Sequence, residues 1–110
     1  MKNYQLINNW SVVGELKNLE NSSNFISDEE IKKMRHALYI KKHLEDHGYY
    51  TQHFKKKNKL DDNQSDFMYV FRVEKSNYKL GDSSQTFYDA VFSVYNWLYR
   101  CREVPEYEFV

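Results

Sequence analysis

Glycine and proline are scarce in this chain: three glycines and one proline among 110 residues. So few glycines leave no G-x-x-x-x-G-K-[ST] or G-x-G-x-x-G phosphate cradle, and no G-x-S-x-G nucleophile elbow occurs either. One cysteine, Cys101, excludes an intramolecular disulfide framework and a C-x-x-C pair, and fits a reducing compartment. No apolar run approaches a membrane span. The start, MKNYQLINNW, lacks the apolar core of a signal peptide. The expectation is a soluble protein in the cytoplasm of a host cell, without contact to a membrane. Charge of one sign is not in excess either, since the formal net charge is zero.

That zero conceals a partition. Residues 32–59 carry nine Lys/Arg against two acids, a net of +7, whereas residues 1–31 and 103–110 each carry −3. Such asymmetry points to a basic face for an acidic partner. The basic face is assigned to Lys32, Lys33, Arg35, Lys41, Lys42, Lys55, Lys56 and Lys57. Aromatics are abundant, 17% of the chain with 10 Tyr and 7 Phe. Tyrosine packs in cores and is favoured at interfaces.

The length and an apolar share of 41% suit one domain over residues 1–110, with residues 1–25 an N-terminal segment and 103–110 a tail. Within it, Ser27–Phe54 is the organising stretch. Ser27-Asp28-Glu29-Glu30 has the pattern of a capping box, flanked by Ile26 and Ile31 as a staple. Three acids in the first turn favour the positive helix end, and Gly48 is a natural stop. Ile31, Met34, Ala37, Leu38 and Leu44 share one helical arc. Lys41 falls inside that arc, so its stem is expected along apolar surface with its charge in water.

All four histidines lie in this stretch: His36, His43, His47 and His53. His43 and His47 have the i, i+4 spacing that can hold a metal. Glu45 is out of place for an H-E-x-x-H motif, and no third ligand is indicated. The expectation is a solvated or partly packed histidine stripe without metal or other cofactor. His43, His47, His53 and Glu45 remain the one cluster on which a metal-dependent enzyme could be built; a non-enzymatic protein is the preferred expectation.

Before this stretch, Trp10, Val13 and Leu16 favour a short helix capped by Asn8 or Asn9, although Trp10–Val13 also fits a strand. After it, Tyr49–Lys55 reads as a strand, with Tyr50, Gln52 and Phe54 on one face. Lys56–Asp66 reads as a polar hairpin loop. Phe67–Val73 is apolar on both faces until Arg72, the pattern of a central strand. Tyr78–Leu80 reads as a short third strand ended by Gly81, with Asp82 opening the last helix and Gln85 as its capping partner. In that helix Phe87, Ala90, Val91, Val94, Leu98 and Cys101 form an apolar arc with Trp97 at its edge, which places the Cys101 thiol in the core. A second stripe, Tyr88, Phe92, Tyr95 and Tyr99, lies beside the first. Packing of this helix against the N-terminal segment is expected, with Phe92 beneath that segment and Tyr95 or Tyr99 partly exposed for a partner. Pro105 ends any continuation.

The fold expectation is α+β: a three-stranded antiparallel sheet with helices packed on it, in the order α-α-β-β-β-α. The order helix–strand–strand–short strand–helix over Ser27–Arg102 resembles the double-stranded-RNA-binding domain. That family places lysines at the start of its second helix, whereas Ser84-Gln85-Thr86-Phe87-Tyr88-Asp89 has none. The chain also resembles the small ABA-sandwich domain of phage proteins, through His47-Gly48-Tyr49-Tyr50 and Thr86-Phe87-Tyr88-Asp89-Ala90. Its Lys/Asn/Tyr/Phe-rich composition is similar to that of phage-encoded host-defence inhibitors of the anti-CRISPR kind. That resemblance implies a non-enzymatic plug whose protein partner is a nuclease or a ribonucleoprotein complex, or its RNA. The alternative is a regulator that binds RNA or DNA directly. The sequence leaves the oligomeric state open.

Overall fold

The computed structural model describes residues 4–21, 28–58 and 66–107. Along these the order is β1 (Tyr4–Leu6), α1 (Val12–Asn21), α2 (Asp28–Asp46), β2 (Tyr50–Asn58), β3 (Phe67–Lys75), β4 (Tyr78–Ser84) and α3 (Phe87–Arg100). The strands form one antiparallel sheet in the order β1-β2-β3-β4. The α+β class is as expected, but the sheet has four strands, not three. The extra one is β1, whose Tyr4, Gln5 and Leu6 pair with Asn58, Lys57 and Lys56. Three residues cannot display a strand's period of two, and here Gln5 and Leu6 are both exposed. What makes β1 a strand is the free edge of β2.

The helices occupy one face of the sheet. Tyr69, Phe71 and Val73 of β3 join Val12 and Leu16 of α1, Ala37, Ile40 and Leu44 of α2, and Phe87, Val91, Val94 and Leu98 of α3 in the core. Phe71, Ile40, Leu44 and Leu98 are fully buried. Burying one such side chain is worth about 1.5–3 kcal/mol.

Helix α2 follows its sequence pattern. Met34, Ala37, Ile40 and Leu44 are buried, and Ile31 and Leu38 pack at the margin. Lys41 lies partly buried with its ammonium on Glu45 at 2.9 Å, as its place inside the apolar arc implied. Gly48 closes the helix at φ +93, where a side chain is strained. The capping residues Ser27 and Ile26 lie outside the described residues. No helix among the described residues is long and apolar enough to cross a membrane.

Four boundaries depart from the sequence reading. Strand β2 runs on through Lys56, Lys57 and Asn58 because β1 and β3 both pair with it there; most of the expected loop, residues 59–65, lies outside the described residues. Strand β4 continues past Gly81 to Ser84, since β3 supplies a partner for each residue. Asp82 therefore does not open α3. Thr86 does, accepting from the Asp89 amide. Helix α3 ends at Arg100, so Cys101 is a C-cap residue, exposed rather than in the core.

Packing of α3 also differs from expectation. Its neighbours are α2, β3 and β4. The N-terminal segment reaches it where the Trp10 and Phe87 rings meet edge to face, 6.3 Å apart. Phe92 instead lines a groove between α3 and β4.

Candidate binding surface

Because Tyr69, Phe71 and Val73 point to the helices, the alternate residues of the sheet point away from them. The register arranges these outward residues in rows across the strands: Leu6–Lys56–Met68, Phe54–Val70–Ser83, Gln52–Arg72–Gly81 and Tyr50–Glu74–Lys79. No described element covers them. Leu6 is 47% exposed and Tyr50 64%. Val70 is buried, though it lies outside the core cluster, so its own neighbours on the face enclose it. The result is an apolar strip of Leu6, Met68, Phe54 and Val70 with basic side chains set into it.

Arg72 is the central cation of this face. Its guanidinium lies over the Phe54 ring, 5.5 Å from the centroid. Its stem lies across Gly81, where a side chain would begin 2.9 Å from the Arg72 Cγ. Glycine at that position therefore leaves room for the arginine. A hollow of about 370 Å³ opens beside it, lined by Tyr50, Gln52, Arg72, Lys79 and Gly81. Lys79 is drawn toward Glu74 at 3.8 Å. Arg72 has no ion-pair partner among the described residues. A guanidinium held on a ring and left without a counter-ion can receive a carboxylate or phosphate in bidentate fashion.

The lysines and arginine expected to form one basic face are distributed over three surfaces. Lys32 and Lys42 are exposed on α2, where Tyr39 and Arg35 lie on the same stripe. Lys33 is 3.9 Å from Glu29 and lies over the Tyr88 ring, Arg35 pairs with Glu20, and Lys41 pairs with Glu45. Lys56 alone joins the open sheet face, beside Leu6 and Met68. Lys57 is exposed and alternates to the helix side of the sheet.

Lys55 is turned inward. Its side chain is only 12% exposed and its ammonium is 3.1 Å from Glu15, enclosed by the rings of Trp10, Phe67 and Tyr69. Glu15 also accepts from the Tyr69 hydroxyl at 3.0 Å and the Trp10 indole at 2.9 Å. Burial, then the adjacent Glu15 carboxylate, pushes the Tyr69 hydroxyl well above its ordinary range. This network fixes α1 to the sheet.

Of the histidines, His43 and His47 lie ring beside ring, centroids 4.6 Å apart. His43 Nε2 donates to the Pro105 carbonyl at 2.9 Å, and His47 Nδ1 donates to the His43 carbonyl at 2.8 Å. A carbonyl only accepts, which fixes both tautomers. The His43 ring meets Tyr107, whose amide donates to the Tyr95 hydroxyl at 2.7 Å. These contacts strap residues 105–107 onto α2 and α3. Tyr95 is thereby buried, at 7% exposure, and leaves the set of available partner-binding residues; Tyr99 is 44% exposed and stacks on it. His53 lies on the helix side of β2, between Trp10 and Phe87. Its Nδ1 is buried without a partner among the described residues. Burial, then the nearby Lys41, lowers its proton affinity, with Glu45 opposing. For Glu45, burial raises the carboxyl, but hydrogen bonds from Thr51 and Lys41 outweigh it and hold the group below its ordinary range. No group of three His, Cys, Asp or Glu among the described residues could hold a metal ion.

Sequence reasoning placed Tyr50, Gln52 and Phe54 on one face but did not recognise that face as open. The double-sided apolar pattern of Phe67–Val73 marks a central strand, which β3 is, between β2 and β4; the same pattern on its outward side was the available signal of an apolar open face. Comparison of the chain with protein-family models, with curated proteins and with solved structures finds no match.

Proposed function

We propose that this chain is a small non-enzymatic binding protein that docks a protein partner on the open face of its sheet. One observation carries this: four registered rows of outward side chains, apolar at Leu6, Phe54, Met68 and Val70, are covered by no described element, and Arg72 among them, lying over Phe54, has no ion-pair partner among the described residues. An apolar centre containing an aromatic-supported arginine has the make-up of an interaction hot spot. The compositional likeness to phage-encoded inhibitors makes a nucleic-acid-handling defence complex, a nuclease or ribonucleoprotein, the first class of partner to try. The inhibition would be steric, with the sheet face occupying a surface the complex needs.

A second reading is direct binding of single-stranded RNA or DNA. Rings on an open sheet beside basic side chains are what sheets use to stack bases, and Tyr50, Phe54, Lys56 and Arg72 supply them here. Two assays separate these readings. Tagged wild type, Phe54→Asp and Lys42→Glu are used to capture partners from cells that carry the gene. The expected result is one nuclease-containing complex held by wild type and Lys42→Glu and lost by Phe54→Asp. Loss through Lys42→Glu alone would move the site to α2. Labelled RNA and DNA titrated at low and high salt complete the test, because phosphate neutralisation weakens steeply with salt. Tight, salt-sensitive binding of bare nucleic acid would favour the second reading.

A further inference from the structure

The sheet ends in an unprotected edge. Strand β4 has β3 on one side and, among the described residues, no strand on the other. Its hairpin turns at Ser76-Asn77, with Ser76 at φ +54, and Lys75 pairs with Tyr78. In an antiparallel ladder closed by two residues, Tyr78, Leu80, Asp82 and Ser84 bond inward to β3, and Lys79, Gly81 and Ser83 turn their amides and carbonyls outward. One outward amide confirms the phase: Ser83 N–H is held by the Asp82 carboxylate at 2.8 Å. Helix α3 overhangs this edge. Between them lies an open groove of about 580 Å³, with Leu80, Phe92 and Trp97 as its apolar lining, Asp82 and Asp89 toward one end and Arg100 toward the other. Trp97 is 53% exposed, and its indole donates to the Tyr78 hydroxyl across the groove.

We infer that a second copy of this chain fills the groove, by antiparallel β4–β4 pairing across a two-fold axis at Gly81. The geometry of one copy sets the match. From Gly81 to Ser84 the strand rises about 10 Å at ~3.3 Å per residue. The same distance along α3 from Phe87, at ~1.5 Å per residue, reaches Ser93–Val94. An axis at Gly81 therefore passes beside the midpoint of α3. Arg100 then lies opposite the first turns of the partner's helix, where the partner's Asp89 stands. Trp97 comes against the partner's Phe92. Asp89 and Arg100 cannot satisfy one another within one chain, being about 16 Å apart along the helix, and neither has an ion-pair partner among the described residues.

The backbone is matched as well. Gly81 meets the partner's Gly81, and Lys79 and Ser83 meet the partner's Ser83 and Lys79, so every outward amide finds a carbonyl. The Ser83 amide passes from Asp82 to the partner's Lys79 carbonyl, which frees the Asp82 carboxylate to face the partner's Arg100. The contact is isologous and closed, as a two-fold requires. The pairing uses the backbone of β4 and the groove under α3 and leaves Leu6, Phe54, Met68 and Val70 uncovered, so it stands apart from the binding function proposed above.

Sedimentation velocity on the full chain at low and high micromolar concentration tests this directly. Wild type is expected to show a concentration-dependent dimer. Asp89→Arg and Arg100→Asp should each weaken it about tenfold or more, as close interfacial charge pairs do, and the double variant should recover it. Lys79→Pro gives an independent check: it removes an outward amide that the sheet does not use, so the fold should persist while dimerisation is lost. Circular dichroism of each variant verifies folding. A monomer at every concentration would overturn the inference, as would a dimer indifferent to both charge changes or one that Lys79→Pro leaves intact.

Discussion

At the scale of single residues, His53 is the sharpest test of the packing. Its ring is enclosed by Trp10 and Phe87, and its Nδ1 has no hydrogen-bond partner among the described residues. Burial and the Lys41 charge both lower its proton affinity, so the folded protein holds it neutral. An unfolded histidine titrates near about pH 6.5. The folded chain binds this proton less tightly than the unfolded chain does. The stability carried by neutral His53 is therefore complete above about pH 6.5 and is lost as pH falls through the lower folded value. Urea midpoints measured on either side of that pH should fall on the acid side for wild type and fall less for His53→Phe. Parallel curves would contradict the assignment. The sequence placed His53 on the strand face opposite Phe54, which holds, but burial depends on α1 folding over β2, and no local pattern encodes that. Cys101 shows the converse limit. Its spacing continued the apolar arc of α3, yet the helix stops one residue before it.

At the scale of elements, the two long helices were legible because α2 and α3 each repeat their apolar residues at helical spacing over several turns. Strand β1 was not, because three residues paired at an edge carry no pattern of their own. The aromatic stripe of α3 lies between these cases. Its spacing was readable, but the fate of each ring depends on what the rest of the chain brings to it. Residues 105–107 cover Tyr95 and leave Tyr99 open. Tyr95→Ala should therefore cost about 3–5 kcal/mol, the range for emptying a large aromatic site in a core. Tyr99→Ala should cost under about 1 kcal/mol. Phe92→Ala, on a ring half buried at the groove, should fall between the two. Urea unfolding of the three variants ranks them, and an equal loss for Tyr95 and Tyr99 would show that the tail does not seal one ring and spare the other.

At the scale of the whole molecule, the charge partition was visible in the sequence but its spatial meaning was not. A run of basic residues along a chain becomes a basic face only if the fold keeps it on one side. Here β2 alternates, sending Lys55 into contact with Glu15 and Lys56 to the open face. The open face itself was half legible, since Tyr50, Gln52 and Phe54 share a side in the sequence pattern, whereas Leu6 of β1 and Gly81 and Ser83 of β4 join it only through pairing. The histidine pattern has a whole-protein readout too. With no third ligand beside His43 and His47 among the described residues, added zinc followed by chelator should leave the melting temperature unchanged. A rise of several degrees with zinc would show that His43 Nδ1 and His47 Nε2, the nitrogens their carbonyl bonds leave open, find a further ligand. The two tryptophans, finally, make the chain its own optical probe. Trp10 is bonded to Glu15 and edged by Tyr69, whereas Trp97 stands half exposed beside Tyr78. Emission should therefore resolve into a component shielded from iodide and a quenchable one, assigned by Trp10→Phe and Trp97→Phe. The shielded signal reports α1 leaving the sheet. The quenchable signal reports whatever comes to lie against the last helix, with no label attached.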